Sequence, residues 1–290
     1  MSARSRPRHA FVGRRGAGVR VEVRDTVVDG RDGTIPVRDY LPASRSTDRP
    51  LVWVHGGGFS AGGLDQAESD APARAWAAAG RWVRAVDYRL APRVNLFRDH
   101  ALREGAGRFP AGLHDVADVI VASTDALGAP VDAAGASAGA NLVAAAALLL
   151  RNDDGPVPRR LALAYGAFHS DPILESEVYE RLRGPLARWA FNQEMLHRMY
   201  RNYVGDDRLL VPGLAFPGGS DLHALPPTLV IDADNDRLHA SGRLFAVELR
   251  DAGVEVREEL VRAMHGFLGR PRSAAFERGV RAIYGWFAGE

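Results

Sequence analysis

The sequence contains no cysteine and no lysine, and each absence closes off chemistry. Without cysteine there is no disulfide, no thiolate nucleophile and no thiolate metal site. Without lysine no P-loop can be completed, and all 37 basic residues are arginine. Long apolar runs are also missing: the longest, LVAAAALLLR at 142–151, is too short to span a bilayer and ends in charge. The first 20 residues carry Arg4, Arg6, Arg8, Arg14, Arg15 and Arg20. No apolar block follows them, so the start reads as neither a secretory signal nor a twin-arginine export signal. A soluble, cytoplasmic protein is expected.

What is present suits one large domain. A chain of 290 residues with 46% apolar side chains can bury a sizeable core. Residues 1–290 are therefore read as a single α/β domain. Setting the six N-terminal arginines aside leaves 31 basic against 36 acidic residues, so the body is mildly acidic and residues 1–20 form a basic arm. That arm is expected to be a flexible, solubilising segment. A nucleic-acid binder would carry basic charge on its folded surface as well, so no nucleic-acid partner is expected.

Hydrophobic periodicity predicts eight strands, near 20–29, 34–41, 50–54, 82–88, 130–134, 159–165, 227–232 and 254–260. It predicts helices near 66–80, 110–128, 138–151, 239–252 and 273–288. The first two strands, joined through DGRDG, should form an antiparallel edge. The alternation that follows calls for a mainly parallel sheet with helices on both faces. Residues 166–225 break the rhythm with two helix-like stretches, SEVYERLRG and PLARWAFNQEMLHRMYRNYV. An insertion after a central strand covers the sheet edge where ligands bind, so 166–225 is read as a lid. The stretch PLARWAFNQEMLHRMY is equally compatible with a dimer surface or core.

Two stretches carry chemistry. In VDAAGASAGANL a short strand ends and a helix begins across Gly135, Ala136, Ser137, Ala138 and Gly139, a GxSxG pattern at a strand-to-helix turn. A serine there sits where unpaired backbone N–H groups favour developing negative charge. It is equally what a helix N-cap looks like. As a nucleophile it needs a base, and His265, on a loop after the last strand and before Gly266, is the candidate. The carboxylate that orients the base should follow another strand; Asp232, Asp234 and Asp236 qualify, and spacing does not choose among them. In LVWVHGGGFSAGG, at 51–63, consecutive glycines let backbone N–H groups converge on an oxyanion, so Gly57 and Gly58 with Ala138 are the expected donors. No histidine makes a recognisable metal motif, and no catalytic metal is expected.

Six segments in this order resemble the α/β-hydrolases of the hormone-sensitive-lipase type, bacterial carboxylesterases with an HGGGF box. They are HGGGF at 55–59, VDYRLAP at 86–92, FPAGLHDV at 109–116, GASAGANL at 135–142, PPTLV at 226–230 and HGFL at 265–268. The resemblance implies an α/β-hydrolase fold and a catalytic triad of Ser137, Asp236 and His265. It implies a structural role for Asp234 and a loop-ordering role for His55. It also implies hydrolysis of small or short-to-medium acyl esters through an acyl-enzyme, with no cofactor, and leaves a homodimer open. An amidase, deacetylase, formamidase or lactonase would use the same apparatus. Retention of all three triad residues speaks against a ligand-binding relative that has lost turnover. Three departures stand out: Ala136 replaces an acidic or polar residue before the serine; Arg93 opens an insertion over 93–108; and few residues precede the first strand, so the lid is expected to be reduced.

Overall fold

The computed structural model describes residues 20–93, 107–173 and 175–289. The basic arm, Arg20 apart, and most of the 93–108 insertion lie outside the described residues. The chain runs β1 (Val21–Gly30), β2 (Gly33–Pro42), β3 (Thr47–Val54), α1 (Ala67–Ala78), β4 (Arg81–Val86), α2 (Ala111–Leu127), β5 (Asp132–Ala136) and α3 (Ala138–Asn152). It continues through β6 (Leu161–Ala164), α4 (Ser176–Arg181), α5 (Gly184–Trp189), α6 (Gln193–Val204), β7 (Thr228–Asn235), α7 (His239–Asp251), β8 (Val256–Met264) and α8 (Ala274–Ala288). All eight expected strands form one sheet in the order β1-β2-β4-β3-β5-β6-β7-β8. β1 and β2 are antiparallel, as is β2 to β4, and every later pairing is parallel.

Alternation along the strands decides which face each side chain feeds. On β3, Val52 and Val54 join a core packed by α2, α3 and α7, whereas Leu51 and Trp53 join one packed by α1 and α8. β6 divides likewise, Leu161 and Leu163 to one face and Ala162 and Ala164 to the other. With both faces covered, the central strands are apolar throughout. Thirteen of the fifteen residues of α3 are buried. That explains its near-continuous run of Ala and Leu: the helix packs against the sheet and against α2.

One expected helix-like stretch is two helices. PLARWAFNQEMLHRMYRNYV breaks between α5 and α6, where Phe191 takes a positive φ of 53° and the Asn192 side chain accepts a hydrogen bond from Met195 N, 2.9 Å away. The apolar periodicity runs through this break because both helices bury residues beneath them. The capping asparagine was the available signal.

The parallel strands bring their C-terminal ends to one edge, where open α/β sheets bind ligands. β3 ends before His55, β5 before Ser137, β6 before Tyr165, β7 before Asp236 and β8 before His265.

Candidate active site

Ser137 lies between β5 and α3 with φ 53° and ψ −119°, a conformation that L side chains rarely adopt. Small neighbours make the turn. A β-carbon on Gly135 would sit 2.3 Å from the carbonyl oxygen of Gly139, and one on Gly139 would sit 2.2 Å from that of Val54. α3 thus starts in contact with the backbone of β3. The Ser137 side chain caps no N–H of α3, which separates the two readings of this serine. Its Oγ is instead 3.0 Å from His265 Nε2, and Ser137 is 7% exposed.

His265 Nδ1 is 2.6 Å from Asp236 Oδ2. An ionised carboxylate only accepts, so Nδ1 carries the proton and Nε2 accepts from the serine hydroxyl. Burial by itself lowers the affinity of this imidazole for a proton. The charge and hydrogen bond of Asp236, with Glu68 and Asp232 behind them, outweigh it and hold the pKa above its ordinary value. Asp236 is 2% exposed, and its Oδ1 accepts from Leu238 N at 3.1 Å.

The other two aspartates have separate partners. Asp234 accepts from Ala263 N at 3.0 Å and pairs with Arg183 at 2.9 Å, joining β7 to β8 and to the segment before α5. Asp232 lies beside His239 Nδ1 at 3.2 Å, and burial pushes its carboxyl up to about 6. The structure thus brings Asp236 alone of the three into hydrogen-bond contact with His265.

The glycines of HGGG are each constrained differently. A β-carbon on Gly57, φ 130°, would lie 1.9 Å from the carbonyl oxygen of Ala61, so the loop's own backbone excludes a side chain there. One on Gly58, φ 58°, would lie 2.8 Å from Met199 Sδ. Gly56 donates its N–H to Glu68 Oε2 at 2.9 Å, whereas the N–H groups of Gly57, Gly58 and Ala138 donate to no partner among the described residues. His55 holds the loop from below. Its Nδ1 donates to Gly56 O at 2.7 Å, its ring stacks on Tyr88 at 4.6 Å, and its Nε2 is buried without a partner. Burial depresses its pKa to about 4, so this ring is neutral and suited to structure.

Four residues near the site were not singled out by sequence. Tyr165, after β6, turns its ring edge-on to His265 at 4.9 Å and donates its O–H to Glu68 Oε1 at 2.7 Å. Phe191, at the α5–α6 break, lies 4.4 Å from the His265 ring, and Met199 of α6 rests over Gly58. Glu68, in the first turn of α1, reads in the sequence as an ordinary helix-starting acid. Beside Phe191 opens a cavity of about 330 Å³ between α4, α6 and α7, lined among others by Leu196, Tyr200, Leu238 and Ser241. Among the described residues no group of three or more His, Asp or Glu side chains is arranged to hold a metal ion. No described helix is long and apolar enough to cross a membrane.

Comparison with known proteins matches residues 51–269 to a family described as α/β hydrolase fold. The chain is 33% identical over 245 residues to the carboxylesterase NlhH of Mycobacterium tuberculosis, covering 82% of this chain and 72% of that protein. A solved esterase from Pyrobaculum calidifontis aligns with a TM-score of 0.76 at 29% identity, over 91% of this chain and 83% of that one. Brefeldin A esterase, a bacterial homologue of human hormone-sensitive lipase, shares the fold with a TM-score of 0.75 at 24% identity, over 95% and 79% of the two chains.

Proposed function

The chain belongs to the α/β-hydrolase fold family and is a serine hydrolase of carboxylic esters; from that premise we propose that Ser137 is its nucleophile, His265 its general base and Asp236 the carboxylate that orients the imidazole. Ser137 Oγ attacks the ester carbonyl as its proton passes to His265 Nε2. Negative charge then develops on the carbonyl oxygen, where the unspent N–H groups of Gly57, Gly58 and Ala138 receive it. The imidazolium returns the proton to the departing alcohol, leaving an acyl-serine. Water, deprotonated by the same imidazole, releases the acid and restores the serine.

The observation that carries this reading is the chain of contacts from Ser137 Oγ through His265 to Asp236, at 3.0 and 2.6 Å, next to those three N–H groups. A serine that merely capped α3 would have no reason to hold a positive φ and face an imidazole. The segment 166–225 acts as a lid over this centre, since Phe191 reaches His265 from the α5–α6 break and Met199 reaches Gly58 from α6. The cavity beside Phe191 is lined by none of Ser137, His265, Gly57, Gly58 and Ala138, so it would take the far end of one ester substituent and not the reacting carbonyl.

A series of p-nitrophenyl esters of rising acyl length, run on the wild type and on Ser137→Ala, tests the assignment. The variant should stay folded and lose kcat by on the order of 10⁶, and a fluorophosphonate should label the wild type at Ser137. Turnover by folded Ser137→Ala would remove Ser137 from the mechanism. Matched ester and amide substrates of one acyl group would read the leaving-group preference.

A further inference from the structure

Glu68 makes contacts that a helix-starting acid does not need. Its Oε2 accepts from Gly56 N at 2.9 Å, and its Oε1 accepts the Tyr165 hydroxyl proton at 2.7 Å. Its own carbonyl accepts from Trp53 Nε1 at 3.2 Å, and a β-carbon on Gly269 would meet it at 3.4 Å, so neighbours on two sides hold it. Among the described residues no arginine forms an ion pair with it, although arginine supplies every cation in the chain apart from histidine and the N-terminus. A point where Gly56 would carry a β-carbon is 2.4 Å from Glu68 Oε2 and 2.9 Å from Ser137 Cβ, so the carboxylate and the nucleophile flank the same glycine. A β-carbon on Gly266, next to His265, would be 3.9 Å from Glu68 Oε1.

We propose that Glu68 is a positioning residue for ester hydrolysis: it fixes Gly56 so that the next two glycines present their N–H groups to the oxyanion, and it places a second negative charge near the imidazolium that forms in the transition state. The proposal rests on the assignment of Ser137, His265 and Asp236 above. Its logic is differential. The base must be neutral to accept the serine proton and becomes charged as the serine attacks, so a fixed carboxylate nearby stabilises the transition state more than the reactive ground state. Ala136, directly before the nucleophile, brings no charge to the turn, whereas Glu68 of α1 flanks Gly56 together with the backbone of Ala136 and Ser137 Cβ. The groups facing His265 are Ser137 from the turn after β5, Tyr165 from the end of β6, Asp232 and Asp236 from β7 and its end, Phe191 from the α5–α6 break, and Glu68 from α1. Of the carboxylates, Asp236 and Asp232 remain when Glu68 is neutralised, so the effect on titration is partial.

The test pairs Glu68→Gln, which removes the charge and keeps the shape, with Glu68→Asp, which keeps the charge and shortens the reach. Both are read by kcat, KM and the pH dependence of kcat/KM on a p-nitrophenyl ester. Glu68→Gln should lower kcat by on the order of 10 to 100-fold with KM changed far less, and should move the acid limb of the profile down by roughly half a pH unit. Glu68→Asp should lose kcat through the loosened glycine loop while leaving that limb in place. If Glu68→Gln fails to fold, Glu68→Asp alone decides: a displaced limb or an unchanged kcat overturns the proposal. An acid limb unmoved in folded Glu68→Gln, with kcat falling only as far as stability does, reduces Glu68 to structural support and overturns it too. Ser137→Ala run alongside keeps the two claims apart, because its inactivity with a wild-type Glu68→Gln would sink the role of Glu68 alone.

Discussion

Ser137 and His265 show how much a single side chain's surroundings decide. The serine holds φ 53° because Gly135, Gly139 and the backbone of β3 leave it no relaxed alternative. As the proposed base, His265 would work only when neutral, and Asp236 and Glu68, overcoming burial, raise its pKa. Activity should therefore climb with pH through a midpoint above the ordinary histidine value of about 6.5. A kcat/KM profile flat from pH 5 to 8 would contradict that. His55 runs the opposite way. Its pKa falls to about 4 in the fold, so between the two values the unfolded chain binds a proton that the native state does not. The stability it contributes is complete above pH 6.5 and drains away as pH falls toward 4, by about 3 kcal/mol at most. Urea unfolding measured at pH 7 and at pH 4.5 reads this loss, and His55→Gln should flatten it whatever else the change costs.

Glycines at the ends of elements separate two kinds of requirement. Gly139 opens α3 against β3, and a methyl there would press on the carbonyl oxygens of Val54 and His55, which are backbone atoms unable to rotate away. Gly139→Ala should push α3 off β3, destabilise the fold by about 1–3 kcal/mol and cut kcat by on the order of 100-fold as Ser137 shifts against His265. Gly128 ends α2 with φ 69° and open space around it. Gly128→Ala should cost about 1 kcal/mol of backbone strain and leave kcat alone. Thermal melts and ester turnover on the two variants test the contrast; equal losses of activity would mean that the close approach at Gly139 is not what positions the nucleophile. The α5–α6 break follows the same rule. Asn192 caps α6 through Met195 N, and the positive φ of Phe191 beside it brings that ring over His265.

The whole molecule keeps stability and chemistry at opposite ends of its sheet. Asp132 opens β5 with 0% exposure and pairs with Arg81 of β4 and with Arg159, whose guanidinium also donates to Phe287 O in α8. Asp132→Ala would strand a buried guanidinium and should cost on the order of 3 kcal/mol, lowering the melting midpoint without changing kcat of the folded enzyme. A fall in kcat well below that midpoint would show that the two ends are coupled. By itself the sequence determined the eight strands and the helices that alternate with them, because periods of two and of 3.6 follow from backbone geometry and survive any arrangement. It also marked Ser137, His265 and the glycine loop, whose residue types are restricted by local turns. Tertiary structure alone decided what distance in space decides. It set β3 between β4 and β5, broke one amphipathic stretch at Phe191, brought Asp236, which the resemblance implied but spacing left open, within 2.6 Å of His265, and gave Glu68 its place beneath Gly56. A carboxylate in a first helical turn looks the same in sequence whether it faces water or an oxyanion loop, and only packing tells the two apart.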